Sequence, residues 1–399
     1  MKKILILAFL LLFASSLAFS VDFGFLLDQN IEMDEDLLKY TPGLTPWFSW
    51  NDGQGTSVYL SALFSLKYLH FSGERSSSSG WARPLIVPEL ARCSVGYRFS
   101  PAVMIEAGRI GYADILGLTA TGLFDGLRLE IGLPQGSLNV GAFYTGLLFK
   151  ETAKVQMTAE DAANVAKLFD YDQFENYFTP KRALAFARWN MPVGDSNSLS
   201  AELLTQFDLT ENTQKLNSQY GALKFDMYPM SMLRLTAGGV FEAMQYTSGD
   251  PMFAFGALAQ VKTELPTAVS DWLGFTVKLG SGAMNDTITT FTPVSSNPQG
   301  SVFTGTLGGL AIIGLDYSAM LLHTLYAECA LNYFLRTYDD PESSGNLYGA
   351  EFWATFVWQP LEDIRATLGA GAFFPGMGNI DAYGSDVLWK ITAGISLSF

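Results

Sequence analysis

The stretch VLWKITAGISLSF, residues 387–399, decides the fold. Most of its alternate positions carry large apolar side chains, namely Trp389, Ile391, Ile395, Leu397 and Phe399. Successive side chains of a β-strand point to opposite faces, so this strand would have one apolar face and one mostly polar face. A strand of this kind that ends on an aromatic residue is typical of a transmembrane β-barrel. The last strand of a soluble β-sandwich is the competing interpretation.

These five residues resemble the C-terminal signature of bacterial outer-membrane β-barrels, which the barrel-assembly machinery recognises. The resemblance implies that they form an assembly signal and that this machinery is a partner of the chain. It also implies a location in the bacterial outer membrane, in contact with outer-membrane lipid.

The composition supports export to a membrane without helical spans. Residues 1–20 predict a signal peptide, because Lys2 and Lys3 precede an apolar stretch and a small-x-small cleavage site ends at Ser20. The chain is 49% hydrophobic and 16% charged, yet no later run of about 18 apolar residues occurs. Only helices and closed barrels satisfy every backbone group in lipid, so residues 21–399 predict a single barrel domain.

The number of strands follows from the connections between alternating segments. Eight short connections rich in turn residues, such as 317–319, alternate with nine longer polar ones, such as 32–43. Transmembrane barrels have short periplasmic turns and longer outer loops. We therefore predict an all-β, antiparallel, up-and-down barrel of about 18 strands, with 16 as the alternative.

Aromatic residues close to the predicted short turns suggest a periplasmic girdle at the membrane boundary. The girdle would contain Trp50, Phe99, Trp189, Tyr228, Trp272, Tyr317 and Trp358. Core aromatic residues are the alternative interpretation.

The sequence of the outer loop 150–180 predicts that it contains a short helix. Thr158 is a suitable N-cap, and Glu160 and Asp161 follow in the first turn, where acidic residues suit the helix dipole. The sequence leaves open whether this loop constricts the pore or covers the barrel mouth.

The strand register places most charged residues on the inner wall, which we expect to be polar and wet. Lipid-facing Lys or Arg at mid-membrane would cost about 2–4 kcal/mol. Glycines such as Gly238 and Gly274 would leave lumen volume unfilled or ease strand curvature. The candidate pore-lining residues are Lys67, Arg92, Glu106, Arg128, Glu130, Arg188, Glu202, Lys224 and Arg234. A charge network that only braces the wall is the alternative role for each of them.

The architecture resembles that of porins over the whole predicted mature chain. The resemblance implies a channel for passive diffusion of small hydrophilic solutes, with basic wall residues similar to those of porin constrictions. Porins commonly form homotrimers, so a homotrimer is one possible assembly of this chain, although no feature of the sequence identifies an interface. The alternatives are a transporter of hydrophobic compounds, similar to fatty-acid channels, and a surface barrel with a blocked lumen.

Other functions fit the sequence poorly. A net charge of −15 argues against nucleic acid as a partner. The two histidines, His70 and His323, lie on the predicted lipid-facing register without an acidic or amide residue placed to orient them, so we predict no enzyme activity. We also predict no cofactor and no metal site, because Cys and His do not cluster.

Overall fold

A closed barrel accounts for almost all of the described chain. The computed structural model describes residues 20–53, 55–71, 80–81, 84–167, 169–284, 287–338, 345–380, 384 and 386–399. One antiparallel sheet of nineteen strands closes because β1 pairs with both β2 and β19. Since β4 is only two residues long, eighteen strands build the wall, and the predicted strand number is confirmed. The predicted signal peptide lies outside the described residues, apart from Ser20.

Neighbouring strands in the chain are also neighbours in the sheet, as in an up-and-down barrel. The strands are β1 (Ser20–Asp34), β2 (Leu37–Asn51), β3 (Thr56–Phe71), β4 (Gly80–Trp81), β5 (Leu85–Ser100), β6 (Val103–Ala113), β7 (Thr121–Leu133), β8 (Gly136–Tyr144), β9 (Arg182–Val193), β10 (Asn197–Asp208), β11 (Leu216–Met230), β12 (Leu233–Tyr246), β13 (Met252–Glu264), β14 (Asp271–Gly280), β15 (Leu310–Leu322), β16 (Leu325–Arg336), β17 (Leu347–Leu361), β18 (Ile364–Phe374) and β19 (Leu388–Ser398).

In the part of the chain that the structure describes, helices occur only in the connections. Helix α1 (Lys150–Ala153), helix α2 (Ala159–Ala166) and a 3₁₀ helix (Tyr171–Tyr177) lie between β8 and β9, and a second 3₁₀ helix (Pro375–Met377) follows β18. None of the helices among the described residues has the length and apolarity that crossing a bilayer requires.

The alternation in the sequence corresponds to the two faces of the wall. On β10, Leu203 and Phe207 are exposed on the outside, whereas Glu202, Gln206 and Asp208 are buried on the inside. The neighbouring strands β11 and β12 show the same alternation. The outer face therefore forms an apolar belt, which is stable only against lipid.

Two predicted connections are wrong. The first outer connection is a two-residue turn rather than a long loop over 32–43, because the Asp34 carboxylate accepts the Asp36 and Leu37 N–H groups at 3.0 and 2.9 Å. The short turn predicted at 317–319 lies instead at His323, because Tyr317 is still paired with Leu273 and Cys329 on its two neighbouring strands.

The predicted girdle is also wrong for two of its members. Tyr228 packs its ring against the inward-facing Arg234, with 5.6 Å between guanidinium and ring centroid. Trp272 is paired with Ser318 and shares the inward face of β14 with Lys278. Both rings therefore line the periplasmic end of the lumen, whereas Trp189 and Trp358 remain exposed on the outer face.

The outer half of the lumen is packed with three inward-folded connections, which we name loop A (residues 114–120), loop B (145–167 and 169–181) and loop C (281–284 and 287–309). Their buried apolar side chains form one cluster with the wall. The cluster includes Leu116 and Leu118 of loop A, Val155 and Met157 of loop B, Phe291, Phe303 and Leu307 of loop C, and Phe186, Leu204, Tyr220, Val240, Phe334 and Phe373 of the wall. The predicted polar inner wall is therefore wrong for this half.

Candidate functional site

The hairpin of β6 and β7 leaves the barrel wall at mid-height and bends into the lumen. Pairing between β5 and β6 ends at Arg109, and pairing between β7 and β8 ends at Asp125. The bend requires Gly108 and Gly126: Gly108 has a φ of 121°, and a Cβ at either position would collide with a carbonyl oxygen of the neighbouring strand. This bend delivers loop A into the lumen.

Arg109 fills the opening that the bent hairpin leaves in the wall. Its guanidinium makes two hydrogen bonds of 2.8 Å with Asp125 and also donates to the carbonyl oxygens of Leu90 (2.5 Å) and Leu147 (3.0 Å). Arg109 and Asp125 are not among the candidate residues that the sequence predicts. In the structure they tie β5, β6, β7 and loop B together.

Loop B satisfies further carbonyl groups along the exposed edge of β5. The Tyr177 hydroxyl donates to the Pro88 carbonyl oxygen at 2.7 Å, and Tyr171 donates to that of Ile86. Burial raises the pKa of Tyr177 to about 12, so this hydroxyl stays protonated and keeps donating at any ordinary pH.

Loop A is anchored on two predicted pore-lining residues. Glu202 accepts hydrogen bonds from the Ile115 N–H (2.8 Å) and the Tyr112 hydroxyl, and it forms an ion pair with Arg188 at 3.0 Å. Arg188 also donates to the Ala113 carbonyl oxygen. Both residues therefore position loop A, and Arg188 is also partly exposed to the lumen.

A second charged group lies on the neighbouring strands β5, β6 and β7. Glu106 forms ion pairs with Arg128 at 2.6 Å and with Arg92 at 3.4 Å. A third group lies nearer the periplasm, where Asp226 pairs with Lys224 and Arg234, each at 2.9 Å. These three groups together, on strands β5 to β12, are called the charged arc below.

The structure places two of the predicted residues apart from the charged arc's ion pairs. Lys67 lies at the outer end of β3, where it forms an ion pair with Glu151 of loop B. Glu130 is exposed to the lumen on β7, and no ion pair joins it to any of the described residues.

Helix α2 of loop B is where the sequence predicts a helix, with Thr158 as its N-cap. The Thr158 hydroxyl accepts the Asp161 N–H at 3.1 Å, and the Asp161 carboxylate accepts the Thr158 N–H at 3.1 Å, which completes a capping box. Asp161 also forms an ion pair of 2.5 Å with the inward-facing Arg182 of β9. Helix α2 therefore packs inside the barrel mouth.

Sequence reasoning missed Arg182 altogether. Its side chain is fully buried, and it pairs with Asp208 at 3.3 Å in addition to Asp161.

Sequence reasoning also missed the role of the two carboxylates that hold loop C. Glu351 accepts three consecutive N–H groups of loop C at 2.6–2.9 Å, and Glu242 accepts the Thr292 N–H at 2.9 Å. The only sequence signal for these three residues is a charge on the inward register.

Comparisons with known proteins give a consistent architecture. No protein-family model and no curated protein matches the chain. Among solved structures, OccK5 (OpdH) of Pseudomonas aeruginosa matches with a TM-score of 0.63 and 9% identity, covering 95% of this chain and 98% of that one. OpdK of Pseudomonas aeruginosa, solved with vanillate, matches with a TM-score of 0.62 and 12% identity over 95% and 98%. OccAB4 of Acinetobacter baumannii matches at 0.58 and 10% over 95% and 98%.

The chain shares the fold of these solved barrels, among them the outer membrane protein OpdK. Together with the apolar outer belt, this fold places the chain in a bacterial outer membrane, as the sequence predicts. At 9–12% identity the likeness shows the fold and leaves the solute open.

Proposed function

We propose that the protein is a porin-like channel through which small hydrophilic solutes diffuse across the outer membrane, and that its lumen favours anions. One observation supports the preference. In the charged arc, the side chains of Arg92, Arg128 and Arg188 are 47, 32 and 21% exposed, whereas their partners Glu106 and Glu202 are 9 and 2% exposed. The cations therefore face the lumen, and the acids stay behind them.

This arrangement suits a diffusing anion better than a neutral solute. Exposed guanidinium groups attract anions, and a narrow low-dielectric wall strengthens the field. The ion pairs hold each guanidinium in place without covering it. OpdK was solved with vanillate, a small carboxylate, and we extend this solute class to the present chain as part of the proposal.

The described residues leave one side of the outer half outside the apolar cluster, and we propose that the solute path lies there. The apolar cluster involves wall strands from β6 to β18, whereas none of the described residues of β1, β2 and β3 belongs to its buried set. The inward face of β1 and β19 carries Leu26 and Leu388 at its two ends, and between them Asp28, Asn30 and Glu32 lie opposite Ser396, Gly394 and Thr392. We propose that solutes pass along this side in the outer half and then meet the charged arc.

A barrel with a blocked lumen is the second candidate function, and the packed cluster of loops A, B and C is the observation in its favour. Liposome swelling separates the two. Vesicles that contain the purified protein should swell in small sugars if a path exists and should stay as tight as empty vesicles if loops A, B and C seal the barrel.

Anion preference is tested in planar bilayers under a salt gradient. We expect a reversal potential on the anion side for the unchanged protein and a shift toward zero for the double variant Arg92→Gln, Arg128→Gln. Arg365→Gln is the matched control, because Arg365 also points inward but lies on β18, far from the charged arc. A shift in the Arg365→Gln variant half as large as that in the double variant would show that total charge, rather than the charged arc, sets the selectivity, because the control removes one positive charge and the double variant removes two.

We also propose that the C-terminal strand is the assembly signal that its sequence resembles. Phe399 pairs with Phe25 through two backbone hydrogen bonds of 2.7 and 3.0 Å, and their rings are 5.9 Å apart. Deletion of Phe399 should lower the yield of folded barrel in cells. Normal membrane insertion of the chain that lacks Phe399 would refute this proposal. Formation of a homotrimer is a separate prediction, which chemical cross-linking of the purified protein tests.

A further inference from the structure

Three buried polar side chains between the barrel wall and loop C carry atoms without hydrogen-bond partners. These atoms are Oε1 of Glu242, the hydroxyl oxygen of Ser218 and both amide atoms of Gln206, and none of them bonds to a residue that the structure describes. All three side chains are fully buried. Buried polar atoms are nearly always hydrogen-bonded, so this concentration of unpartnered atoms points to a ligand that they share.

The three side chains, which we name the polar row, lie diagonally across the inward faces of β10, β11 and β12. Gln206 is directly opposite Ser218 in the register of β10 and β11. Tyr220, two residues further along β11, is directly opposite Glu242 of β12. Directly opposite Cβ atoms are about 4.5–5.5 Å apart and diagonal ones about 7–8 Å, so the Gln206 and Glu242 side chains are long enough to meet at Ser218.

Loop C covers the polar row from the lumen side. The Thr292 N–H donates to Glu242 Oε2 at 2.9 Å, and the Thr292 carbonyl oxygen accepts the Tyr220 hydroxyl at 2.7 Å. Phe291, the preceding residue, is almost completely buried. A ligand bound by the other oxygen of Glu242 would therefore also stabilise loop C against the wall.

The charge of Glu242 is poorly compensated compared with that of the other buried carboxylates. Glu351 accepts three N–H groups, whereas Glu242 accepts one and forms no ion pair with a described residue. Arg182 and Arg188 form ion pairs with other carboxylates, and Lys150 donates to carbonyl oxygens at the C-terminal end of helix α2. Since an uncompensated buried carboxylate is costly, Glu242 must take up either a proton or a cation.

The other atoms of the polar row favour a metal cation over a proton. A proton on Glu242 would pair with one neighbouring oxygen and leave the other without a partner. Hard cations prefer oxygen ligands, and the polar row offers a carboxylate, an amide carbonyl and a hydroxyl. Ca²⁺ takes about six to eight oxygen ligands, more than this enclosed row offers, and a monovalent ion matches the single carboxylate charge. The row contains neither Cys nor His, so the sequence criterion for a metal site does not detect it.

We propose that Glu242 Oε1, Gln206 Oε1 and Ser218 Oγ bind a sodium ion between the barrel wall and loop C. The ion balances the Glu242 charge, and Thr292 ties loop C to the same carboxylate. Bound sodium therefore stabilises the inward position of loop C. The sodium site does not depend on the solute that the channel carries, and its occupancy requires no conduction.

Limited proteolysis of the purified full-length barrel in detergent tests this site. Sodium chloride is exchanged for choline chloride at constant ionic strength and pH, and the rate of cleavage within loop C is measured at several sodium concentrations. Sodium that binds only the closed form lowers the open population, so cleavage should slow about tenfold at a concentration about ten times the Kd. Ser218→Ala removes one ligand and should raise the sodium concentration needed for the same slowing by about fivefold.

A matched pair of variants separates sodium binding from a general effect of salt. Glu242→Gln keeps the size of the side chain and an acceptor for the Thr292 N–H but removes the charge, so its cleavage rate should not depend on sodium. Glu328→Gln removes an exposed acid of the periplasmic half and should keep the full sodium dependence. Circular dichroism and heat-dependent gel mobility identify a variant that fails to fold, and Ser218→Ala then carries the test.

Three results would overturn the sodium site. The first is equal cleavage of the unchanged protein in sodium and in choline. The second is a sodium effect that persists in folded Glu242→Gln. The third is cleavage that follows pH instead of sodium and loses this dependence in Glu242→Gln, because a proton would then compensate the carboxylate. A barrel that responds to sodium as expected but does not conduct keeps the site and refutes the channel.

Discussion

The outer and periplasmic halves of the lumen use the same residue types for different purposes. In the outer half, Glu242 and Glu351 are buried and hold backbone N–H groups of loop C. In the periplasmic half, Glu130 and Glu328 are exposed to the lumen. An inward-facing carboxylate is therefore a structural anchor where loops cover it and part of a wet wall where they do not.

The difference teaches that the inward register alone does not define a pore-lining residue. Burial of a carboxylate is costly unless hydrogen bonds compensate it, so a buried acid implies a matched set of donors. Glu351 has three such donors, all from loop C. Exposed charges need no such partner and are free to act on solutes.

The largest expected effect comes from Arg182. Arg182→Met would leave Asp161 and Asp208 buried without their cation, at a cost of about 3–5 kcal/mol. We expect helix α2 to detach and the urea midpoint of unfolding in detergent to fall. The triple variant Arg182→Met, Asp161→Asn, Asp208→Asn should recover part of the loss. A single variant as stable as the unchanged protein would contradict the role of Arg182 as an anchor of loop B.

Glu351→Ala should have the second largest effect. It removes the acceptor of three N–H groups, of which only that of Phe303 makes a fully buried hydrogen bond, so we expect a cost of about 1–3 kcal/mol. We expect loop C to loosen, protease cleavage within it to accelerate, and single-channel conductance to rise. Glu328→Gln in the periplasmic half is the control and should alter neither cleavage nor loop position. Unchanged cleavage in the Glu351 variant would show that loop C is held by its apolar contacts alone.

The barrel itself was predictable because the alternation of side chains is local. The eighteen strands and their faces follow from period-two patterns that each strand contains on its own. The inward position of Trp272 was also within reach, since Gly274 and Lys278 share its parity, but its place beside a turn favoured the girdle interpretation. The error shows that register outweighs proximity to a turn.

The direction of the loops was not predictable, because contacts between distant residues determine it. Glu202 accepts from Ile115, eighty-seven positions away in sequence, and Glu351 accepts from Ser301, fifty positions away. The capping box at Thr158 predicts helix α2, yet nothing in that segment shows that Asp161 will also bind Arg182. Charges on the inward register were visible, but the loops that cover some of them were not.

Substitution of Gly238 should have an intermediate effect on stability, and it tests whether loop A packs against strand β12. A Cβ at Gly238 would collide with Leu116 of loop A and would also crowd the Leu223 carbonyl oxygen, so this glycine makes room for loop A rather than leaving the lumen unfilled. We expect Gly238→Ala to cost about 1–3 kcal/mol. Gly239→Ala, on the outer face with open space, is the matched control. Equal stability of the two variants would mean that loop A does not press against β12.

The smallest expected effect on stability is that of Glu130→Gln, which distinguishes exposed lumen charges from charges held in ion pairs. Glu130→Gln changes an exposed side chain without an ion pair to the described residues, so its stability change should stay within about 0.5 kcal/mol. Removing this negative charge from the wall should still move the reversal potential further toward anions. Glu106→Gln is the comparison, because it leaves Arg92 and Arg128 without their shared partner and should lower stability as well as change selectivity. If Glu130→Gln destabilised the barrel as much as Glu106→Gln, the exposed charges of the periplasmic half would be structural too, and the contrast between the halves would disappear.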